Sequence, residues 1–77
     1  MINEEDFNLI KTLRKESNFS QLEIAEKLGI SRNSYISVEQ GKRELSLKEA
    51  GIFCDIFGIS LEDLLLGDDK KYKKKLS

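Results

Sequence analysis

Residues 20–43 read SQLEIAEKLGISRNSYISVEQGKR, and their helix-capping residues and glycines predict two short helices joined by a tight turn. Ser20 and Glu23 fit the S-x-x-E capping box, in which each residue satisfies a free N–H group at the helix start. Gly29 ends this first helix, because glycine adopts the left-handed conformation that commonly closes helices. Ser31 then caps the second helix only two residues later.

The second helix ends at Gly41, and two helices around a short glycine-containing turn are typical of helix-turn-helix DNA-binding proteins. The patterns SQxxIAxxLGISR and YxxVExGKR closely resemble the Cro/phage-repressor type of helix-turn-helix domain. This resemblance covers about residues 7–66. It implies a sequence-specific DNA-binding transcriptional regulator, a repressor, that reads the major groove with its third helix.

Capping residues of the same kinds predict three further helices, which begin at N-caps Asn3, Ser46 and Ser60. Gly58 and Gly67 end the last two of them. No segment alternates between apolar and polar residues as a half-buried strand does. We therefore expect an all-α, compact five-helix domain of the repressor type, in which helices 2 and 3 form the helix-turn-helix.

Charge is distributed unevenly along a chain whose net charge is −1. Residues 27–43 carry four basic side chains and one acid, whereas residues 44–69 carry seven acids and one lysine. A basic segment on an acidic body is typical of a surface that contacts phosphates. We expect residues 1–67 to form the DNA-binding domain and residues 68–77, with five lysines, to form a disordered tail that acts as a solubilising end or as a DNA-binding arm.

Several classes of protein are disfavoured by composition. The chain has no histidine, a single cysteine and no glycine-rich phosphate-binding loop, so we expect neither an enzyme nor a metal or cofactor site. The start MINEEDFN is acidic and unlike a signal peptide, and no apolar run is long enough to span a membrane, which indicates a cytoplasmic protein. Cys54 lies on an apolar helix face, where a small core residue is favoured over a redox sensor.

Base contacts are assigned to the face of helix 3 that remains after its core positions are removed. Tyr35 and Val38 are three residues apart and should point inward. The remaining positions predicted to contact bases are Arg32, Asn33, Ile36 and Ser37. Arg binds guanine O6 and N7 with two hydrogen bonds, and Asn binds adenine N6 and N7 in the same way. Arg32 also opposes the helix dipole, which suggests a functional reason for its position.

Ile36 leaves two interpretations open. An isoleucine exposed in the groove can pack on a thymine methyl group. Alternatively, Ile36 is half-buried against helix 2 and contributes only to stability. Members of the resembled family more often have a small or polar residue at this position.

Phosphate contacts are expected from helix N-termini and from the polar residues beside helix 3. In the resembled family, the residue matching Gln21 binds a phosphate and supports the recognition helix. The loop after helix 3 matches the family's backbone-binding loop, although its basic residues can also serve only the negative end of that helix. The full predicted set is Gln21, Ser31, Gln40, Lys42 and Arg43.

The resemblance also implies a buried ion pair and a dimer. Arg14 and Glu39 match the family's paired arginine and glutamate, and an acid on the DNA-facing helix needs neutralising. The family generally dimerises through its last helices, so we expect a homodimer on an inverted repeat of double-stranded DNA. The predicted interface residues are Leu65, Leu66, Ile52 and Ile56.

One alternative function stays open from the sequence. The same domain often serves as the antitoxin of a toxin–antitoxin pair, which can also bind its own operator. The acidic segment 44–69 and the apolar stripe formed by Ile52 and Ile56 fit a protein-binding surface of this kind, unless helix 5 or the tail covers that stripe.

Overall fold

The structure is a computed structural model that describes residues 8–68, with side chains described as far as Leu65. Within this range the chain forms five α-helices and no strand, which confirms the all-α prediction. The helices are α1 (Leu9–Glu16), α2 (Gln21–Leu28), α3 (Arg32–Glu39), α4 (Leu47–Phe57) and α5 (Leu61–Asp68).

The helix boundaries follow the capping residues that the sequence supplies. Ser20 and Ser46 each form a complete capping box with the glutamate three residues later. Ser31 accepts a hydrogen bond from the N–H group of Ser34, and Ser60 accepts one from Asp63. Gly29 ends α2 with φ at 76°, a left-handed conformation that disfavours residues carrying a Cβ atom.

Two predicted helix boundaries were wrong. Helix α1 begins at Leu9 instead of following Asn3, because the Asn8 side chain caps it by accepting a hydrogen bond from the N–H group of Lys11 at 3.0 Å. Asn3 lies outside the described residues. Helix α5 runs to Asp68 and so includes Gly67, since glycine inside a helix costs only about 1 kcal/mol. Asp68, the first residue of the predicted tail, belongs to α5, and residues 69–77 lie outside the described range.

All five helices contribute buried side chains to one core, in which α2 packs against α3 and α4, and α5 packs against α1 and α4. Tyr35, Phe53 and Ile24 are fully buried. The ring of Phe57 packs against Phe53 and meets Phe19 edge-on, with centroid distances of 4.7 and 6.0 Å. Because Ile24 of α2 and Tyr35 of α3 are both buried in this core, the two helices pack together and the outer face of α3 faces solvent.

Cys54 is a buried member of this core, in line with its interpretation as a small apolar residue. Burial raises the pKa of its thiol, so the reactive thiolate form is disfavoured at neutral pH.

Candidate nucleic-acid interface

Helix α3 has one buried face and one accessible face. Tyr35 and Val38 point into the core, with 0% and 6% of their surface exposed. Arg32 and Asn33 lie exposed in the first turn, and neither side chain forms a hydrogen bond or ion pair with any residue in the described range. Their donor groups are therefore available to a ligand that approaches the N-terminal half of α3.

Ile36 and Ser37 lie between these two faces and are half-buried. This intermediate position gives Ile36 both contact with the domain and an accessible edge. The carbonyl group of Ser37 accepts hydrogen bonds from the N–H groups of Lys42 and Arg43, at 2.9 and 3.3 Å. Ser37 thus fixes the start of the loop that follows α3.

A buried ion pair holds the C-terminal end of α3. The guanidinium of Arg14 donates from Nε to Oε2 of Glu39 at 2.5 Å and from Nη2 to Oε1 at 3.3 Å. The two side chains are only 10% and 4% exposed. The third nitrogen of Arg14 donates to the carbonyl group of Phe19 at 2.9 Å. Arg14 therefore joins α1, the residue before the α2 N-cap and the last residue of α3.

Two amide side chains complete this network around Glu39. Gln21 donates from Nε2 to Oε1 of Glu39 at 3.1 Å, which attaches the first turn of α2 to the end of α3. Asn8 donates to the backbone carbonyl of Glu39, so the residue that caps α1 also binds the free C-terminal end of α3. The bond from Asn8 was not foreseen, since no local pattern relates residues 31 positions apart.

The protonation state of Glu39 is set by these contacts. Burial alone would raise the pKa of its carboxyl group, but hydrogen bonds from Arg14 and Gln21 outweigh burial and hold the pKa below its usual range. Glu39 is therefore ionised at neutral pH and neutralised by Arg14.

The Tyr35 hydroxyl lies beside this network but has no hydrogen-bond partner among the described residues. Burial is the main reason that its pKa is raised well above the ordinary value. Tyr35 is therefore a neutral core residue at neutral pH.

The two basic residues of the loop after α3 differ in pairing and in exposure. Arg43 forms a two-pronged ion pair with Glu49 of α4, at 3.1 and 3.2 Å, and is half-buried. Lys42 is exposed, as are Gln40 and Ser31. Of the predicted phosphate-binding residues, Arg43 is thus already paired with an acid of the chain itself, which the sequence analysis missed.

The predicted dimer residues differ in accessibility. Leu65 is 60% exposed, whereas Ile52 is half-buried against the core and Ile56 is half-buried. Leu61 lies one turn before Leu65 and is 37% exposed, so the two leucines share one edge of α5. The side chain of Leu66 lies outside the described part of the chain.

A metal site and a membrane-spanning helix each require a recognisable arrangement of residues. Among residues 8–68, no group of three or more Cys, Asp or Glu side chains is arranged to hold a metal ion. None of the described helices is long and apolar enough to cross a membrane.

A family model described as helix-turn-helix matches residues 10–64, which is most of the chain. The chain belongs to the helix-turn-helix family. A solved structure agrees: the N-terminal DNA-binding domain of SinR from Bacillus subtilis superimposes with a TM-score of 0.65 at 31% sequence identity. This match covers 79% of the present chain and 87% of that domain.

Curated relatives of this helix-turn-helix protein are described as regulators. An uncharacterized HTH-type transcriptional regulator from Methanocaldococcus jannaschii is 39% identical over 62 residues, which cover 80% of this chain and 94% of that protein. The antitoxin PezA from Streptococcus pneumoniae is 43% identical over 61 residues, which cover 79% of this chain but only 38% of PezA. The chain is thus a DNA-binding transcriptional regulator of the helix-turn-helix family, and this family is not a class of enzymes.

Proposed function

We propose that this protein is a sequence-specific repressor that reads the DNA major groove with α3. The observation that supports this most directly is the exposed, unpaired first turn of α3, which carries Arg32 and Asn33 on a helix whose opposite face is buried. In helix-turn-helix proteins, the N-terminal residues of the second helix of the motif contact base edges. The proposed site of action is the cytoplasm, in keeping with the bacterial and archaeal sources of its relatives.

The proposed base contacts follow from side-chain chemistry. Arg32 is suited to the O6 and N7 acceptors of guanine, and Asn33 to N6 and N7 of adenine. Ser37 lies one turn after Asn33 and can bond either purine or pyrimidine edges. For Ile36, the accessible edge is the part that would meet a thymine methyl group.

The proposed phosphate contacts frame α3 on both sides. Ser31 and Gln21 lie at the N-termini of α3 and α2, where free N–H groups favour an anion. Gln40 and Lys42 lie exposed at the opposite end of α3. Because Glu39 is neutralised by Arg14, its charge opposes a nearby phosphate less than a free carboxylate would.

We further propose that the protein acts as a homodimer on an inverted repeat. One helix-turn-helix contacts only a few base pairs, and a two-fold dimer doubles both base and phosphate contacts. Leu65 with Leu61 on α5 is the most exposed apolar pair at the C-terminal end of the described fold.

A second candidate function is supported by the likeness to the antitoxin PezA. In this case the protein would bind a partner toxin as well as its own operator. Because the aligned region covers 38% of PezA, the likeness concerns one part of that protein. Copurification with a second protein expressed from the neighbouring gene would support this function.

Selection from a randomised duplex pool tests the proposed repressor function. The wild-type protein should enrich a defined sequence, and Arg32→Ala should relax that preference at one base position. Lys15→Ala, which removes an exposed cation from α1, is the control for the loss of charge and should enrich the wild-type sequence. Failure of the wild-type protein to enrich any sequence would refute specific DNA recognition.

A further inference from the structure

The loop between α3 and α4 is held at both of its ends. At its start, the N–H groups of Lys42 and Arg43 donate to the carbonyl group of Ser37. Further along, the Arg43 guanidinium donates from Nη1 and Nη2 to the two carboxylate oxygens of Glu49, at 3.1 and 3.2 Å. Arg43 therefore connects the end of α3 to the first turn of α4.

Glu49 is also held in place by hydrogen bonds that do not involve Arg43. Its Oε1 atom accepts the N–H group of Ser46 at 3.0 Å, and its own N–H group donates to the Ser46 hydroxyl at 3.1 Å. The Glu49 side chain is only 14% exposed. A planar guanidinium that bonds a carboxylate with two parallel hydrogen bonds is held in one geometry. Nη1 and Nη2 are thus both committed to Glu49, whose charge offsets that of Arg43, so a phosphate would meet only the remaining N–H groups of an already neutralised guanidinium.

We propose that Arg43 is a positioning residue for DNA binding and not a phosphate ligand. Its pairing with Glu49 holds the loop against α4, so that the exposed Lys42 beside it supplies the positive charge for the DNA backbone. This inference rests on the proposed function, and it reassigns a residue that the sequence alone placed among the phosphate contacts.

Glu49→Gln is the variant that separates the two roles of Arg43. Glutamine keeps the capping box with Ser46 but loses the charge that holds Arg43. Glu44→Gln, at an exposed neighbouring position, removes the same charge without touching the pair and is the matched control. The DNA probe is a labelled duplex enriched by the wild-type protein from a randomised pool, with thermal unfolding as the check that both variants are folded.

With Arg43 as a positioning residue, Glu49→Gln should bind this duplex roughly two- to five-fold more weakly than Glu44→Gln. The slope of log affinity against log salt should match that of Glu44→Gln, because the number of phosphate contacts is the same. If the pairing with Glu49 does not position the loop, Glu49→Gln would bind as tightly as the control or more tightly. That result would overturn the proposal.

The double variant Arg43→Ala/Glu49→Gln provides a second salt measurement. It should keep the wild-type slope, whereas a slope smaller by about 0.9 would show that Arg43 contacts a phosphate and would overturn the proposal.

Amide hydrogen exchange in the free protein tests the loop without DNA. The amides of Lys42 and Arg43 should exchange several-fold faster in Glu49→Gln than in Glu44→Gln, and equal rates would also refute the positioning role. A wild-type protein that enriches no duplex would refute the proposed function, while the exchange rates would still decide whether Arg43 holds the loop.

Discussion

Asn8 and Glu39 are joined by a hydrogen bond from the Asn8 side-chain amide to the Glu39 backbone carbonyl. The same asparagine accepts the N–H group of Lys11 through its side-chain oxygen at 3.0 Å. One side chain thus caps the N-terminus of α1 and the C-terminus of α3. The position of the helix proposed to read DNA therefore depends on the N-cap residue of α1, which lies outside the helix-turn-helix itself.

Substitutions at Asn8 should separate its two hydrogen bonds. Asn8→Asp keeps an oxygen for the Lys11 N–H group but has no donor for the Glu39 carbonyl, so we expect a loss of about 0.5–1.5 kcal/mol in the free energy of unfolding. Asn8→Ala loses both bonds and should cost about 1 kcal/mol more, because the cap disappears as well. Urea denaturation measures both changes. An Asn8→Asp protein as stable as wild type would show that the bond to Glu39 contributes nothing.

The Arg14–Glu39 pair should show strong coupling in a double-mutant cycle. Replacing either residue alone by methionine leaves the other charge buried, which should lower the free energy of unfolding by about 3–5 kcal/mol. Replacing both should cost clearly less than the sum of the two single losses. Glu44→Met, at an exposed site, is the control and should change stability by less than about 0.5 kcal/mol. Single losses that simply add would mean that the two charges do not interact in solution.

Stability should fall in acid through the same pair. The pKa of Glu39 is lower in the folded protein than its unfolded value of about 4.3, so the folded state binds the proton less readily. The stabilisation from Glu39 is therefore present above about pH 4.3 and is lost as the pH falls through the lowered folded pKa. Thermal unfolding between pH 7 and pH 2 measures this loss. Glu39→Gln should show a shallower acid dependence than wild type, and an unchanged dependence would assign the effect to other carboxyl groups.

The parts of the fold that the sequence predicted are those with a local cause. Ser20 and Ser46 announce α2 and α4 because a capping box needs only residues three positions apart, and Gly29 marks a left-handed end. The contacts that were missed join distant or non-periodic positions. The bond from Asn8 to Glu39 spans 31 residues, and the pairing of Arg43 with Glu49 depends on how the loop folds back on α4.

The start of α1 shows why a local signal can also mislead. Asn3 followed by three acids resembles a helix start as closely as Asn8 does, because both satisfy the same capping preference. Asn8, the residue that caps α1 in the structure, also forms a tertiary hydrogen bond to Glu39, which sequence spacing cannot reveal. The Arg14–Glu39 pair, by contrast, was predicted from the resemblance to a family and not from sequence spacing.

Base readout and backbone binding should respond differently to substitution. Arg32→Ala and Asn33→Ala should each weaken binding to the selected duplex by about 1–3 kcal/mol and relax specificity at one base position. Lys42→Ala should weaken binding to all duplexes about equally and reduce the salt slope by about 1. Fluorescence anisotropy on the selected duplex and on a scrambled one measures both effects. An Arg32→Ala protein with unchanged preference between the two duplexes would show that α3 does not read this base.

The dimer proposal makes its sharpest prediction at Leu65. This side chain is 60% exposed, and burying a leucine contributes about 1.5–3 kcal/mol. In a two-fold interface each substitution acts twice, so Leu65→Glu should weaken self-association by at least ten-fold. Leu22→Glu, at a leucine that is 48% exposed on α2, is the matched control and should leave the self-association of the free protein unchanged.

Sedimentation with and without a duplex that carries a full inverted repeat measures this association. Because the exposed apolar area is small, the free dimer should be weak and the wild-type protein should bind two-to-one only on the full repeat. Leu65→Glu should bind one half-site at a time with no cooperativity. A one-to-one complex of the wild-type protein on the full repeat, at saturating concentration, would rule out the dimer.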